Sequence, residues 1–348
     1  MSWEKVYTER SEFEKACRES GKELRGLTYR EAIREALVLI MEKDKSIFII
    51  GEGVDDPAGV FGTTVGLHKI FGKERVFDTP IAENTVTGIA AGAALVGMKP
   101  VVIHMRMDFL LLAMDQIVNH ISKWSYMFGG KLKIPLVIRT IIGRGWGSAA
   151  QHSQSLQGLF LHIPGLKIVI PSSPYDVKGL LIASIEDETP IIFIEHRWLY
   201  EHIGYVPEGI YSIPLGKGVI KKEGKDVTVI GVSYMVFESI KAAEILQKEG
   251  IDIEIIDVRT LKPLDEQIIF ESVKKTGRLV IADTGWLTGG VAAEISARVA
   301  SNVFKYLKAP ILRVSCPDCP TPASPVLEKT FYPGVNEIIS AVKSVYEK

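Results

Sequence analysis

The chain has 348 residues, 47% hydrophobic and 24% charged, with a formal net charge of -1 at pH 7. That is enough apolar material for two domains with their own cores, and too much for a disordered chain. Lys and Arg are interspersed with Asp and Glu, which gives no electrostatic reason to expect nucleic acid or an anionic membrane as a partner. The first twenty residues, MSWEKVYTERSEFEKACRES, lack an apolar core, and runs such as 109–114 fall short of a membrane span, so a cytoplasmic location is expected.

In chain order, a capping box at Thr28-Tyr29-Arg30-Glu31 opens a helix whose apolar stripe is Ile33, Ala36, Leu37 and Ile40. Residues 46–50 read as a buried strand ending at Gly51. The run Asp78-Thr79-Pro80-Ile81-Ala82-Glu83-Asn84 then sets a carboxyl at the threshold of a small-residue apolar helix, 85–97. A charge there is poorly solvated, its proton affinity rises, and it can serve acid-base chemistry; equally, an acidic residue there answers the helix dipole. Strand 101–105 follows and leads into Met105-Arg106-Met107-Asp108-Phe109. This is the carboxyl end of a strand, where α/β proteins bind ligands, and its aromatic residue stacks on a planar ring or packs in the core.

Residues 110–124 are expected to form one helix. Strands 134–141, 166–170 and 190–195 complete a first sheet, with a helix over 175–184. Within this stretch lies Gln151-His152-Ser153-Gln154-Ser155. His152 alone of seven histidines sits in a run of neutral hydrogen-bonding residues, which fix its tautomer and aim it into a cleft unless it is an ordinary surface histidine. A composition break over 201–223 marks the boundary between expected domains 1–210 and 211–348. Beyond it, strands 226–231, 251–258, 278–283 and 311–315 alternate with helices as a smaller doubly wound domain, so the fold class is α/β with mostly parallel sheets.

Other signals are weaker. Gly143-Arg144-Gly145-Trp146-Gly147 opens a polar loop instead of a helix, and no G-x-x-x-x-G-K-[ST], H-E-x-x-H or G-x-S-x-G is present, which removes the main support for nucleotide-binding, metalloprotease and serine hydrolase readings. Cys316 and Cys319 form a C-x-x-C with a proline after each and no second pair, which reads as a braced loop instead of a redox or zinc site.

The ordered segments GVFGTTVGLHKIFGKERVFDTPIAE (59–83), DQIVNHISKW (115–124), QHSQS (151–155), HIPGLKIVIPSSPYDVKGLL (162–181) and IDVRTLKPLD (256–265) carry a resemblance. Together they resemble the beta subunit of the thiamine diphosphate-dependent first component of 2-oxo acid dehydrogenase complexes, of the pyruvate, branched-chain or acetoin type. The match runs from about Leu27 to near the carboxyl terminus, and DCPTP falls where the family carries a D-x-P-x-P loop. The resemblance implies a pyrimidine-type, thiamine-diphosphate-binding parallel-sheet domain followed by a smaller transketolase C-terminal-like α/β domain.

It further implies roles for individual residues. Glu83 matches the catalytic glutamate that hydrogen-bonds a pyrimidine nitrogen of the cofactor and favours the tautomer that generates the ylid. Phe109 matches the ring against the pyrimidine, and Ile81 and Met105 match neighbouring pocket positions. His152 matches a histidine implicated in acyl transfer to a lipoyl arm, and Glu52 an acidic position of the passage linking two active sites. A structural potassium ion is implied at Leu136, Ser184, Ile185, Asp187 and Thr189, mainly through backbone carbonyls, with Thr189 departing from the commoner Asn.

The GDG motif that serves the magnesium-diphosphate half of such sites is absent from the sequence. The resemblance therefore implies an alpha subunit that supplies it, in an α2β2 heterotetramer with beta–beta self-contact, and a lipoyl acyltransferase component as acceptor. Further departures are Thr85 where the family usually has glycine, GEGVDD for GEDVG, ADTGWLTGG for a more acidic version, and Arg106 and Arg197, which near a cleft would meet an anionic group. The implied reaction is oxidative decarboxylation of a 2-oxo acid with acyl transfer to lipoamide. Its rivals are the carboxyl half of a split transketolase or deoxyxylulose phosphate synthase, and a non-catalytic assembly subunit. QHSQS and PGLKIVIPSSPYDVKGLL favour the dehydrogenase over the first, and retention of Glu83 and His152 argues against the second.

Overall fold

The structure is a computed structural model describing residues 5–143 and 147–348. The first four residues of the amino-terminal segment, and Arg144, Gly145 and Trp146 of the glycine-rich run, lie outside the described residues. The chain divides into two units, one formed by Met1–Ile142 with His162–Leu215 and the other by Gly143–Leu161 with Gly216–Lys348.

The first unit is built on parallel strands in the order Lys167–Val169, Ile191–His196, Val137–Ile142, Lys99–His104, Ile47–Gly51 and Val76–Asp78. Every residue of Ile47–Gly51, Val137–Ile142 and Ile191–His196 is buried, as expected for strands covered on both faces, which read as continuous apolar runs instead of alternating ones. The carboxyl ends of Ile47–Gly51, Val76–Asp78 and Lys99–His104 lead into the segments that begin at Glu52, Thr79 and Met105. A buried ion pair ties two of these strands. Arg139 Nε donates to Glu195 Oε1 at 2.6 Å, Arg139 Nη2 donates to Thr63 Oγ1 at 3.1 Å, and Tyr200 donates to Glu195 Oε2 at 2.8 Å.

The capping box forms as expected, with Glu31 N–H donating to Thr28 Oγ1 and Thr28 N–H to Glu31 Oε2. Three details of the first unit differ from the sequence expectation. The small-residue helix spans Glu83–Leu95, so Glu83 lies inside its first turn instead of ahead of it. The single helix expected over 110–124 is a succession of short pieces: an α turn Met107–Leu110, a 3-10 turn Leu111–Ala113, a π-helical segment Gln116–Ile121 and an α-helix Ser122–Met127. Where the π segment ends, the Ser122 hydroxyl donates to the Val118 carbonyl at 2.9 Å, a local bond that competes with regular helix geometry. Finally, Val6–Tyr7, Ile203–Tyr205 and Gly26–Thr28 form an antiparallel sheet whose strands, two or three residues each, are too short to show a period.

The second unit carries a sheet in the order Val219–Lys222, Ile253–Asp257, Val227–Gly231, Leu279–Trp286 and Leu312–Cys316, parallel except for the first strand. Val219–Lys222 falls inside the compositional break and was not expected there. Val229, Ile253, Ile255 and Val280 meet Met235, Leu246, Ile338 and Val342 in its core.

Candidate active site

In the first unit, the residues expected to line the pocket follow the carboxyl ends of three strands. Gly51 ends its strand, and the next residue is Glu52, whose N–H donates to Ile103 O at 3.4 Å. Gly53 has φ +70°, and a Cβ there would lie 3.1 Å from Met105 Cε, so glycine lets the chain turn under the methionine. Asp78 Oδ1 accepts from the Val54 N–H at 3.0 Å and fastens this turn to the segment leading to Glu83. Burial, then the charge of Glu83, then that of Asp78 push the Glu52 carboxyl above its usual range.

Glu83 is only 5% exposed, in the first turn of its helix, where the dipole favours a negative group. Among the described residues no side chain donates a hydrogen bond to it. Two apolar residues expected in the same pocket are exposed, Ile81 at 80% and Phe109 at 36%. Each follows a strand end, Ile81 after Val76–Asp78 and Phe109 after Lys99–His104. A carboxyl in the first turn of a helix can accept from an N–H on a planar heteroaromatic ring whose face would cover an aromatic side chain. The residues present therefore fit a pyrimidine ring.

Sequence reasoning missed His104. It is 1% exposed, its Nε2 lies 2.9 Å from Thr87 Oγ1, and its Nδ1 has no partner among the described residues. Burial pushes it down to about 4, so the ring is neutral at physiological pH. Thr87 is one helical turn beyond Glu83, and Met105 follows His104. The only sequence trace is a histidine in an otherwise apolar strand. Of the departures, Thr85 is exposed, and Arg197 lies over the rings of Phe61 at 4.6 Å and Tyr200 at 5.2 Å, so its charge is spent on aromatic faces.

The positions named for potassium all lie in the first unit. Ser184 and Ile185 are in the last turn of the helix Pro174–Glu186, where carbonyls lack a following amide. The Leu136 carbonyl accepts from Ile191 N–H at 2.9 Å. The Asp187 carboxylate is taken up by Lys167 Nζ at 2.6 Å and by Thr189 N–H and Oγ1. Burial pushes Asp187 up, but these bonds outweigh it and leave the carboxyl below its usual range. What remains for a cation is backbone carbonyls. Among the described residues no group of three or more His, Cys, Asp or Glu is placed to hold a metal ion, and no helix is long and apolar enough to cross a membrane.

His152 belongs to the second unit. It is exposed, beyond Ala149, which adopts φ +58°. The chain after it turns inward, with Ser153, Ser155, Leu156 and Gln157 buried. Gln157 Nε2 donates to Asp283 Oδ1 at 2.8 Å, a pairing across 126 residues that no local pattern reveals. In the C-x-x-C, Cys316 is buried, its thiol pushed up by burial and donating to Thr284 O at 3.3 Å, while Cys319 is exposed and its carbonyl accepts from Trp286 Nε1 at 2.9 Å.

Residues 25–202 match the family model described as transketolase, pyrimidine binding domain, and residues 216–338 the one described as transketolase, C-terminal domain. The acetoin:2,6-dichlorophenolindophenol oxidoreductase subunit beta of Bacillus subtilis (strain 168) is 46% identical over 91% of this chain and 96% of its own length. The pyruvate dehydrogenase E1 component subunit beta of Rickettsia felis is 45% identical over 92% and 98%. The 2-oxoisovalerate dehydrogenase subunit beta of B. subtilis is 39% identical over 92% and 99%. A solved structure titled split gene transketolase, inactive beta4 tetramer, aligns with a TM-score of 0.75 over 93% of this chain and 99% of that one; at 24% identity it speaks for the fold alone. With two matched domains and near-full-length identity to three kinds of subunit, the chain belongs to the family of 2-oxo acid dehydrogenase E1 beta subunits, built from the pyrimidine-binding and C-terminal domains of transketolase.

Proposed function

We propose that this chain is the pyrimidine-side beta subunit of an enzyme that oxidatively decarboxylates a 2-oxo acid and passes the acyl group to lipoamide. The observation that carries the proposal is the near-complete burial of Glu83 in the first turn of its helix, within the stretch 25–202 that matches the transketolase pyrimidine binding domain. Thiamine diphosphate, when bound, supplies an electron-accepting thiazolium that makes loss of carbon dioxide feasible. Glu83 holds a proton against a pyrimidine nitrogen, and its desolvation strengthens that bond. Phe109 offers the pyrimidine a ring face, with Ile81 and Met105 as the adjoining walls. Glu52 shares its electrostatic field with Glu83 and lies on the acidic passage between sites. His152 delivers a proton to the lipoyl sulfur.

An alpha subunit completes the enzyme as an α2β2 heterotetramer, holds most of the magnesium-diphosphate site and makes the chain active. Beta–beta contacts join the halves, and a lipoyl acyltransferase receives the product. The carbonyls around Ser184 and Ile185 suit a structural potassium ion, and the location is cytoplasmic.

The test is co-expression with an alpha subunit carrying GDG and a downstream Asn, assayed on pyruvate, 2-oxoisovalerate and acetoin with lipoamide. Glu83→Gln is expected to slow turnover by about a hundredfold or more with assembly and melting unchanged. Turnover equal to wild type would remove Glu83 from the mechanism. A new sugar phosphate in place of acyl-dihydrolipoamide would turn the reading toward transketolase chemistry.

A further inference from the structure

The segment carrying His152 contains no strand or helix between Gly147 and the short helix Gln157–Leu161, yet its second half is buried while His152 is exposed. What holds the buried half is the end of the strand Leu279–Trp286. Gln157 Nε2 donates to Asp283 Oδ1, Ser155 Oγ lies 3.5 Å from Thr284 Oγ1, and a Cβ on Gly158 would come within 3.1 Å of Gly289 O. Asp283 is fully buried, and both its Oδ2 and Gln157 Oε1 lack partners among the described residues. Among the described residues, the groups facing it are Gln157 from the short helix, the amides of Thr284 and Gly285 on its own strand, and the Cys316 thiol from the neighbouring strand, with Cys319 beyond; no cation is among these. A buried carboxylate without a counter-charge is costly where a neutral side chain would pack as well.

We propose that Asp283 is a positioning residue: through Gln157 it holds the start of the Gln157–Leu161 helix, and with it the stem from which His152 is presented for proton transfer to a lipoyl sulfur. The proposal rests on the role given above to His152. Burial, opposed by the bonds from Gln157, Gly285 and Thr284, pushes Asp283 up to about 6, so the carboxylate accepts from Gln157 at neutral pH and surrenders its charge below that value.

The experiment compares wild type with Gln157→Leu, Asp283→Ala and Asp283→Asn, the last retaining an acceptor oxygen. In the full chain, amide-exchange protection over residues 149–157 is expected to fall about tenfold in Gln157→Leu and Asp283→Ala. Because the held arrangement binds the Asp283 proton more tightly than a released one, wild-type protection should hold or rise from about pH 7.5 down to about pH 5.5, whereas Asp283→Asn, with no proton to gain, stays level across that range. In the assembled enzyme, acylation of lipoamide should slow by about ten- to a hundredfold in the first two variants. Reduction of 2,6-dichlorophenolindophenol with the same 2-oxo acid should stay within about twofold of wild type. Unchanged protection in Gln157→Leu, which keeps the test alive if Asp283→Ala fails to fold, would overturn the proposal; so would dye reduction falling in step with lipoamide acylation. A wild-type enzyme that reduces dye but never acylates lipoamide would sink the role of His152, while the exchange data would still decide whether Asp283 and Gln157 hold the stem.

Discussion

Glu52 lies within the field of Glu83, and no cation is among the groups that shift it. The raised Glu52 carboxyl means that the native state holds its proton more tightly than the unfolded chain does. Its contribution to stability is therefore complete in acid and is lost as pH rises through the native value. Glu52→Gln is accordingly expected to melt higher than wild type near pH 7.5, with the gap closing toward pH 4, as followed by calorimetry on the full chain; a lower melting point at neutral pH would show that the fold needs the charge. Glu83 was visible in the sequence because proline and a run of small apolar residues announce a charge at a helix entrance. His104 and Asp283 were not, because what makes each unusual is a partner reached only after folding, Thr87 across 17 residues and Gln157 across 126.

Elements were legible in proportion to their length and chemistry. Strands such as Ile47–Gly51 and Val227–Gly231 are apolar over nearly their whole length and announce themselves, and the Thr28–Glu31 box marks its helix by a bond pattern that sequence spacing dictates. The pieces over 107–127 did not, since a π-helical segment is chosen by the balance of local and tertiary bonds, and the pattern of apolar residues stays helical throughout. The helix Pro174–Glu186 ends in carbonyls at Ser184 and Ile185 that an ion can use, while Lys167 already neutralises Asp187. If potassium binds there, exchanging it for choline at constant ionic strength lowers the melting temperature by roughly 3 °C. An identical melting point in the two salts would withdraw the ion.

At the scale of the whole chain, residues 143–161 leave the first unit, join the second and return. The compositional break read over 201–223 gives no sign of this excursion, whose attachment is a handful of polar contacts and close glycine approaches. A fragment of residues 216–348 is therefore expected to melt roughly 5 °C below the same fragment carrying 143–161 on a flexible linker, and equal melting would show that the excursion contributes nothing to that unit. The same excursion bears on how such subunits are shuffled between lineages. A single crossover near residue 215 would join one parent's Gln157 to another parent's strand and leave that pairing to chance. A recombinant that preserves both halves of the contact needs breakpoints at 142/143, 161/162 and 215/216 together, so the segment bearing His152 is inherited with the carboxyl-terminal half of the molecule even though it is spelled in the amino-terminal half.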